Sequence, residues 1–596
     1  MIHVIHTEAK KLRTFGWVQD PSDFRSLCDV VAIFDENSQK HQELVTRVIP
    51  ALVEERDGRQ ELLDALHKRP LRIKYTHLVG TAFTPRSAAR CNGIVQAAVK
   101  GQVRPFIGDW PADNFVRWAQ ALGFLRYAYK DDTFEITEAG KALSQARTTG
   151  GPLNPKEKEQ LTAAVLAYPP AVRVLNLLAQ DEGAHLTKFE LGKQLGFVGE
   201  DGFTSLPQTV LVRSLSALGN AKDKNKMKTD WDGSSDKYAR MIAKWLEKLG
   251  LVEQAAKPVT VTLAGKEYTE TIGQAYVITK DGLAALNRTL GRSRHKRIPK
   301  NVSFEMMATK GKDRDYLRTR RAYVLKAVSE SKGTISYDDI AGCLKAVKLA
   351  EDEATVKDDV QGLIHIGLNI DAGERECAWK DQINDFTLPL PKELSKSDLL
   401  ATKEELRKQL KHISHEYLSL VDLAYDSKQN RLFEMKVVEL LTEECGFQGL
   451  HLGGSRKPDG VLYTAGLLND YGIIIDTKAY SSGYNLPISQ ADEMERYVRE
   501  NQTRNQKVNP NRWWEHFDGG LSGFYFLFVS GHFIGNFQDQ LKRISLNTKV
   551  KGAAVSITQL LLLADAIQGG TMDPERLEKL MFQNKEFVFG SLLTST

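Results

Sequence analysis

The sequence predicts a multidomain protein in which three winged-helix-like α(+β) subdomains precede one α/β domain. A pattern of helix, Leu-Gly ending, two strands and a capped turn recurs along the first two thirds of the chain. A proline-bearing polar segment then separates this region from a stretch with strongly apolar, β-branched strands. The length of 596 residues suits several domains of ordinary size.

The first copy of the recurring pattern lies at 115–143. Apolar residues at 115–122 have helical spacing, and Gly123 suits the end of that helix. Residues 127–136 predict two short strands, and Thr137 suits the N-cap of a further helix.

A second copy occupies 239–286, with its Leu-Gly ending at Leu249 and Gly250 and its capped turn at Thr279. The segment 171–197 supplies the earlier helix-turn-helix part of this copy. A weaker third copy begins at 359–367, where a predicted helix precedes the strand-like LNIDAG. A winged helix places one helix in the DNA major groove. The alternative is generic α+β packing, since winged helices also mediate protein contacts.

The composition is that of a folded chain. Hydrophobic residues make up 42% and charged residues 26%, which excludes a largely disordered or collagen-like protein. The longest apolar runs, such as Leu560–Ala564, are too short to span a membrane. Met1–Lys11 has no apolar core of a signal peptide, so we expect none.

The five cysteines are widely spaced, and their number is odd. No Cys-x-x-Cys pair occurs, which argues against a disulfide framework or a zinc cluster. We expect buried, reduced thiols, as in a cytosolic protein. The residues are Cys28, Cys91, Cys343, Cys377 and Cys445.

The net charge of +5 hides an asymmetry along the chain. Residues 1–400 carry 59 Lys and Arg against 52 Asp and Glu, whereas 401–596 carry 22 against 24. Two basic clusters contribute, one at 222–228 and one at 292–321. Phosphate neutralisation and an ordinary solvated surface are equally compatible with them.

The polar segment between the two regions contains two prolines and predicts an interdomain linker at 385–398. The three subdomains are then expected at 1–150, 151–291 and 292–384, and the last domain at 399–596.

The chemistry-bearing motif is Pro458–Asp459 followed, 17 positions later, by Asp476–Thr477–Lys478. Asp459 follows a Gly-rich turn, and Asp476 ends the strand YGIIID. Side chains alternate along a strand, so Asp476 and Lys478 share one face and Thr477 points away. Two carboxylates from neighbouring strands can hold Mg²⁺, which polarises a scissile phosphate and activates a water. Lys478 can place positive charge beside that phosphate or orient the water.

This spacing is that of the PD-(D/E)xK nucleases. The alternative is a surface turn plus a salt bridge at the edge of a sheet. Glu434, on the preceding helix, is a candidate auxiliary carboxylate, with a solvated helix face as the favoured reading. The predicted helix at 488–504 carries charges of both signs at three- and four-residue spacing. Such a surface can pair with its own copy across a two-fold axis, or it is an ordinary solvated helix.

At this point the residues resemble the FokI family of type IIS restriction endonucleases, over almost the whole chain and in the same order. The segments similar to its cleavage domain are KHISHEYLSL, HLGGSRKPDG, DTKAYSSGYNLPISQADEMERYVRENQTR and FLFVSGHFIGN. Those similar to its recognition part are RTFGWVQDP, AYPPAVRVL, HLTKFELGKQLGF, FTSLP and GSSDKYARMI. The similarity is weakest at 326–400.

The resemblance implies three winged-helix-like recognition subdomains, a linker and a PD-(D/E)xK cleavage domain. It implies a bacterial, cytoplasmic enzyme that binds an asymmetric site, GGATG in this family, as a monomer. Both strands are then cut downstream, leaving a 5′ overhang. Cutting in the family needs Mg²⁺ and dimerisation through the cleavage domain, and a separate DNA methyltransferase protects the host. The alternatives are a DNA-binding regulator with an inactive nuclease fold, or another PD-(D/E)xK nuclease.

By position, Asp459, Asp476 and Lys478 match the family's catalytic residues, the two aspartates as metal ligands. Asp492 and Arg496 match residues of its dimer helix.

Nine residues match positions that contact DNA in the family. Asp20 and Thr229 stand where the family has Asn, and Asp232 where it has Glu. Asp232 can keep an acceptor for cytosine N4 with a shorter reach, but Thr229 cannot reproduce a bidentate amide contact. The six that match in type are Gln19, Arg86, Gln102, Trp110, Lys237 and Arg240.

Overall fold

The computed structural model describes residues 2–6, 16–83, 89–181, 183–234, 236–263, 265–390 and 394–589. The chain forms two compact units. The first unit contains the chain up to Phe197, Lys237–Ala255 and Ala275–Lys396. The second unit contains Val198–Asp236, Ala256–Gln274 and the chain from Ser397 onward. The expected subdomain at 151–291 is therefore divided between the two units.

The first subdomain is mainly helical, with short strands. Its elements are β1 (Ile2–His6), α1 (Phe24–Ala32), α2 (Gln39–Glu43), α3 (Ile49–Leu52), α4 (Arg56–His67), β2 (Ile73–Lys74), α5 (Tyr75–Val79), α6 (Ile94–Ala98), α7 (Asp109–Ala121), β3 (Leu125–Ala128), β4 (Thr133–Ile136) and α8 (Glu138–Ala146).

The second subdomain ends in a long hairpin and a capped helix. Its elements are α9 (Pro155–Ala167), α10 (Pro169–Leu178), β5 (Leu186–Thr187), α11 (Lys188–Lys193), α12 (Gln208–Ser216), α13 (Ala221–Ser234), α14 (Lys237–Lys248), β6 (Val252–Leu263), β7 (Lys266–Ile278) and α15 (Lys280–Thr289).

The third subdomain repeats the helices and the three-stranded sheet. Its elements are α16 (Arg314–Glu330), β8 (Thr334–Ser336), α17 (Tyr337–Ala346), α18 (Glu353–His365), β9 (Ile370–Ala372), β10 (Glu376–Trp379) and β11 (Phe386–Leu390).

The three subdomains share one sheet topology. In each, the first strand pairs with the third and the third with the second, giving the orders β2-β4-β3, β5-β7-β6 and β8-β10-β9. A long helix precedes the hairpin each time, namely α7, α14 and α18. The recurrence read from the sequence is thus a recurrence of structure.

The same local packing explains the Leu-Gly ending and the capped turn in both clear copies of the pattern, at 115–143 and 239–286. Gly123 and Gly250 end their helices with φ of 76° and 79°, a conformation that favours glycine. Thr137 and Thr279 accept hydrogen bonds from backbone N–H groups three residues later, at 3.1 and 3.0 Å. Those N–H groups belong to Gly140 and Gly282. A Cβ at either position would collide with the carbonyl oxygen of the residue that follows the Leu-Gly ending, Phe124 or Leu251.

The expected linker at 385–398 is wrong in its first part. Phe386–Leu390 is β11, which pairs in parallel with Ile2–His6. A backbone ladder to the amino terminus therefore holds this segment in the first unit. Residues 391–393 of the expected linker lie outside the described residues.

The basic cluster at 292–321 is partly internal. Lys300, Arg318, Arg320 and Arg321 are buried. The Lys300 ammonium contacts Asp381 at 2.6 Å. The phosphate-neutralising interpretation is therefore wrong for these four side chains. In the other cluster, Lys224 and Lys228 pair with Glu270, at 2.7 and 2.8 Å.

The five cysteines are free thiols, as expected, and four of them are buried, whereas Cys343 is exposed. Burial raises the pKa of Cys28 to about 12 and that of Cys91 to about 11, so these two thiols are unreactive near neutral pH. Within the described ranges, no individual helix combines the length and apolar character of a membrane span. Within the described ranges, α9 and α10 meet these criteria only as a pair, and the chain bends by 85° between the two helices.

The carboxy-terminal domain is built around one five-stranded mixed sheet. Its elements are α19 (Asp398–Gln409), α20 (Ser419–Leu423), α21 (Asn430–Glu439), β12 (Gln448–His451), β13 (Gly460–Tyr463), β14 (Tyr471–Lys478), α22 (Ile488–Thr503), β15 (Gly523–Ser530), α23 (Phe537–Thr548), β16 (Gly552–Ser556), α24 (Ile557–Gln568) and α25 (Pro574–Met581). The strand order is β12-β13-β14-β15-β16. The first three strands are antiparallel and the last three parallel. Helix α22 packs on one face of this sheet.

Candidate active site and DNA-contacting residues

The candidate active site lies where β13 begins and β14 ends. Gly460 pairs with Ile475 across these antiparallel strands. Asp459 directly precedes Gly460, and Asp476 directly follows Ile475. In an antiparallel pair these two residues are therefore neighbours. The structure thus brings together the two carboxylates that the motif spacing singled out.

Asp459 is fixed by the residue between the other two members of the motif. Thr477 donates to one carboxylate oxygen of Asp459 from its backbone N–H, at 2.7 Å, and from its hydroxyl, at 3.0 Å. Alternation along the strand correctly separates Thr477 from Asp476, but it gave no signal that Thr477 would hold Asp459.

Lys478 completes the site by contacting Asp476 at 2.7 Å between Nζ and Oδ2. Burial alone would lower the pKa of Lys478, but the charges of Asp476 and Asp459 outweigh it and raise that pKa. The ammonium therefore stays protonated in the buried site.

Burial and neighbouring charge disfavour the ionised form of Asp459, and burial disfavours that of Asp476. Burial raises the pKa of Asp459 well above its ordinary value, and the charges of Asp476 and Glu434 raise it further. Burial also raises the pKa of Asp476, although Lys478 opposes that increase. A nearby positive charge favours the ionised forms of such carboxylates.

Glu434 lies beside this site, not on a solvated helix face. It forms a hydrogen bond with Nε2 of His451 on β12 at 3.0 Å, and only 19% of its side chain is exposed. The sequence predicts its place on the preceding helix, whereas only the fold shows this contact. His451 has no sequence signal, because its partner is 17 residues away.

Tyr484 adds a buried polar atom to the same neighbourhood. Among the described residues, its hydroxyl has no hydrogen-bond partner. Burial and then the charge of Asp476 raise the pKa of Tyr484, so the hydroxyl is a donor at all ordinary pH values. Within the described ranges, no cluster of three or more His, Cys, Asp or Glu side chains has the arrangement of a metal site by itself.

The two dimer-helix candidates lie on α22 and have partners within the chain. Asp492 accepts a hydrogen bond from Arg543 at 2.7 Å. Arg496 donates to Glu493 at 2.9 Å and lies 3.8 Å from Glu500. Both are partly exposed, as a contact surface requires.

Two of the DNA-contact candidates form one exposed pair in the first unit. Asp20 accepts from the indole N–H of Trp110 at 3.2 Å and from Asn114 at 3.4 Å. Trp110 is 46% exposed. An aspartate suits this position because both partners are donors, and the indole can only donate.

Gln19 lies beside the amino-terminal turn of α14. It donates to the hydroxyl of Tyr238 at 3.1 Å. Tyr238 follows the candidate Lys237 directly and precedes the candidate Arg240 by two residues. The structure therefore brings Gln19, Lys237 and Arg240 to one region of the first unit.

The remaining candidates are placed as follows. Gln102 is exposed between α6 and α7. Thr229 and Asp232 lie on α13, in the second unit. Arg86 lies outside the described residues.

Comparison with known proteins gives a consistent match over the whole chain. Four family models match: FokI recognition domain subdomain 1 at 13–146, recognition domain subdomain 2 at 157–294, FokI D3 domain at 307–375 and FokI cleavage domain at 396–588.

Two curated relatives are similar over nearly their full length. The type II restriction enzyme FokI of Planomicrobium okeanokoites is 46% identical over 587 residues, which cover 97% of this chain and 100% of the relative. The type II restriction enzyme StsI of Streptococcus sanguinis is 34% identical over 580 residues, covering 95% and 94%.

Two solved structures share the fold. FokI alone aligns with a TM-score of 0.89 and FokI bound to DNA with 0.90, each at 45% identity. Each alignment covers 97% of this chain and 100% of the other.

Proposed function

This chain belongs to the FokI family of type II restriction enzymes, and from that premise we propose that it cuts both strands of DNA at a fixed distance downstream of an asymmetric site, leaving 5′ overhangs. The chain is a site-specific deoxyribonuclease with recognition subdomains followed by a cleavage domain. The observation that carries the finer proposal is the convergence of Asp459, Asp476 and Lys478 within the range that matches the FokI cleavage domain.

The division of labour follows the matched ranges. The recognition subdomains, proposed at 1–150, 151–291 and 292–384, position the enzyme through phosphate and base contacts. The domain at 399–596 performs hydrolysis. The winged-helix interpretation of each recognition subdomain is supported by the shared strand order, and the PD-(D/E)xK interpretation by the site geometry.

A type II restriction enzyme needs a divalent metal, and we propose Mg²⁺. The site fits a hard cation because it offers two buried carboxylates with raised pKa values, and a nearby positive charge would favour their ionised forms. Mg²⁺ commonly binds through one or two carboxylates and completes its shell with waters and substrate oxygens. The small number of protein ligands is thus no obstacle.

Asp459 and Asp476 would hold the metal, which supplies Lewis-acid polarisation of the phosphate when bound. The chain's own residues do the remaining work. Thr477 keeps the Asp459 carboxylate in one orientation by two hydrogen bonds. The protonated Lys478 stabilises negative charge on the phosphate oxygens or orients the attacking water.

Recognition is proposed to use the candidates in both units, with GGATG as the expected site. Asp232 keeps an acceptor for cytosine N4, but Thr229 lacks the bidentate amide of Asn. We therefore expect the sequence specificity to differ from the family's at the base pair that Thr229 would contact. The DNA-bound relative supports double-stranded DNA as the partner. We further propose a separate cognate methyltransferase and activity in the bacterial cytoplasm, where the substrate is found.

Sequencing of the ends produced from a random-sequence DNA library tests this proposal most directly. We expect discrete cut positions on both strands, offset to give 5′ overhangs, at one distance from one asymmetric motif. A DNA-binding regulator with an inactive nuclease fold would give no ends, and an unrelated PD-(D/E)xK nuclease would give ends without a distant motif. Either result would contradict the proposal.

The affinity for Mg²⁺ should depend on pH because the pKa of Asp459 is raised. The carboxyl must lose its proton to bind the cation, so we expect affinity to rise with pH and binding to release protons. Titration calorimetry in buffers of different ionisation enthalpy measures both. An affinity independent of pH across the ionisation of this carboxyl would contradict the assignment of Asp459 as a ligand.

The same raised pKa predicts a change in stability. A carboxyl whose pKa is higher in the folded state stabilises the fold fully below its unfolded pKa and loses that contribution as the pH rises through the folded pKa. Above that pH, without metal, Asp459→Asn should raise the free energy of unfolding by about 1–2 kcal/mol, as is common when functional strain is relieved. Thermal melting with a chelator measures it, and an unchanged or lower melting temperature would contradict the expectation.

The dimer proposal predicts that replacing Asp492 and Arg496 together by alanine lowers cleavage far more than binding. Loss of a charge pair across the interface weakens association of the cleavage domains but leaves the recognition subdomains intact. We expect a drop of about 10-fold or more in cleavage rate at low enzyme concentration, one factor of ten for each 1.4 kcal/mol of interface energy. Gel-shift affinity for a cognate duplex should change less than about 2-fold in the same measurement series.

The matched control is Glu405→Ala with Lys408→Ala, an ion pair on α19 of the same domain. This pair should leave both cleavage and binding unchanged. Equal losses of cleavage and binding in the Asp492 and Arg496 variant would remove the dimer hypothesis.

A further inference from the structure

The turn that carries Asp459 contains a backbone conformation that residues with a side chain rarely adopt. It joins β12 to β13 and is closed by the carbonyl of Asp459, which accepts from the backbone N–H of Leu452 at 2.8 Å. Within this turn Arg456 has a φ of 61°, in the left-handed region that is costly for a residue with a Cβ. Such a conformation persists only where surrounding contacts hold it.

Those contacts come from the segment that follows α22, residues 505–512. Asn509 donates from its side-chain amide to the carbonyl of Arg456 at 3.0 Å. The guanidinium of Arg456 in turn donates to the carbonyl of Val508 at 2.9 Å. Two hydrogen bonds in opposite directions therefore hold the turn against this segment.

Asn509 is itself held by the end of α22. It is fully buried, and its amide also donates to Oε2 of Glu500 at 2.8 Å. Its Oδ1 accepts from the backbone N–H of Asn511 at 3.0 Å. Glu500 is buried too and accepts from the indole N–H of Trp513 at 2.8 Å. The Asn509 amide thus uses both its donors and its acceptor.

The chemistry of these partners requires an amide at position 509. The Glu500 carboxylate and the Arg456 carbonyl only accept, so the group that faces them must donate twice, whereas the N–H of Asn511 needs an acceptor. Aspartate has nearly the same shape but no donor. It would also place a second carboxylate against Glu500, where like charges repel.

We propose that Asn509 is a positioning residue, which fixes the turn at Arg456 so that Asp459 meets Asp476 in the geometry that a metal ion requires. Asp459 lies three residues beyond Arg456. Thr477 orients the Asp459 carboxylate from the neighbouring strand, whereas Asn509 fixes the backbone that carries it. The inference rests on the proposed Mg²⁺-dependent hydrolysis, in which Asp459 is a metal ligand.

Asn509→Asp in the full chain tests the inference, with Asn505→Asp as its matched control. Asn505 is exposed in the same segment, and its Oδ1 accepts from the backbone N–H of Lys507 at 3.0 Å, which aspartate can also do. For Asn509→Asp we expect the Mg²⁺ concentration at half-maximal single-turnover cleavage to rise by about 10- to 100-fold, the usual cost of losing a partner that orients a metal ligand. The control should keep the wild-type value, and both variants should keep gel-shift affinity for a cognate duplex.

Amide hydrogen exchange without metal supplies a readout that does not depend on activity. In Asn509→Asp we expect faster exchange at Leu452 and Gly453, whose N–H groups bond to the Asp459 carbonyl, and unchanged exchange in β14 and β15. If Asn509→Asp does not fold, Asn509→Ala removes the same donor without adding a negative charge, and the same results are expected of it.

A double substitution tests whether Asn509 acts through the turn. Glycine adopts a positive φ at little cost, so a turn with Arg456→Gly depends less on outside support. The loss caused by Asn509→Asp should therefore be smaller in the Arg456→Gly background than in the wild-type protein. Equal losses in the two backgrounds would contradict a role through Arg456.

The outcomes separate the inference from its premise. If the wild-type protein neither binds Mg²⁺ in titration calorimetry nor cuts DNA with it, the proposed function is wrong. If it does both, and the loss of the Asn509 donor leaves the Mg²⁺ dependence unchanged, the positioning role is overturned. Faster exchange throughout the sheet, with none confined to the turn, would likewise show that Asn509 only stabilises the domain.

Discussion

Replacing Asp476 by asparagine should abolish DNA cleavage while leaving sequence-specific binding intact. The substitution keeps the shape of a buried side chain but removes one of two carboxylates that would hold the metal. Because Lewis-acid stabilisation contributes several kcal/mol, we expect a loss of at least about 10³-fold in cleavage rate. Cleavage of end-labelled cognate DNA measures the rate, and gel shifts measure the binding.

Asp470→Asn is the matched control for this experiment. Asp470 lies in a turn of the same domain, where it accepts hydrogen bonds from the backbone N–H groups of Gly466 and Leu467. Asparagine keeps an acceptor for only one of these two bonds, so we expect a small loss of stability and nearly unchanged cleavage. Retained cleavage in Asp476→Asn would contradict the assigned site. Loss of binding along with cleavage would contradict the separation of recognition from hydrolysis.

Replacing Asp359 by alanine should strongly destabilise the third subdomain. Asp359 on α18 is buried and accepts from Arg320 at 2.7 and 3.1 Å and from Arg321 at 2.9 Å. Removing one partner of a buried ion pair is costly. Both guanidinium groups lose the shared Asp359 carboxylate, although Arg320 keeps that of Glu351 at 3.1 Å. We expect the free energy of unfolding to fall by about 3–5 kcal/mol, measured by denaturant titration.

Asp371→Ala supplies the control, since Asp371 is exposed on β9 of the same subdomain. Its effect should lie within about 0.5 kcal/mol. If Arg320 and Arg321 instead served to bind phosphate, Asp359→Ala would tighten DNA binding and hardly change stability. That outcome would restore the interpretation that the burial of these side chains contradicts.

The pH dependence of this interaction has a defined sign. Burial would raise the pKa of Asp359, but Arg320 and Arg321 outweigh it and lower that pKa below its ordinary value. A carboxyl with a lowered folded pKa contributes stability above its unfolded pKa and loses that contribution as the pH falls through the folded pKa. Acid should therefore destabilise the wild-type protein more than Asp359→Ala.

Local patterns in the sequence predicted much of the fold. The helix endings at Gly123 and Gly250 and the caps at Thr137 and Thr279 depend on neighbours a few residues away, so spacing alone identified them. Local sequence predicts a linker at Phe386–Leu390, because the strand partner of this segment lies at the other end of the chain. Pairing over such a separation leaves no local trace.

The residues of the candidate site also divide into those that local spacing predicts and those that only tertiary packing brings together. The motif spacing placed Asp459, Asp476 and Lys478 on adjacent strands, because strand alternation and a short connection leave little freedom. It gave no role to Thr477, no partner for His451 and no sign of the Tyr484 hydroxyl. These depend on which side chains a particular packing brings within 3 Å or so.

By itself, the sequence therefore determined the order of the elements, the repeated subdomain plan, the proposed catalytic triplet and, through extended similarity, the family. Only the tertiary structure decided which charges are surface and which are structural. The basic stretch at 292–321 contributes to a positive amino-terminal region by count, yet Lys300, Arg318, Arg320 and Arg321 are buried. Charge counts ignore burial, whereas a charge taken out of water must find an opposite charge or hydrogen-bonding partners within the fold. Such partners, like Asp359 for Arg320 at a separation of 39 residues, become visible only when the chain is folded.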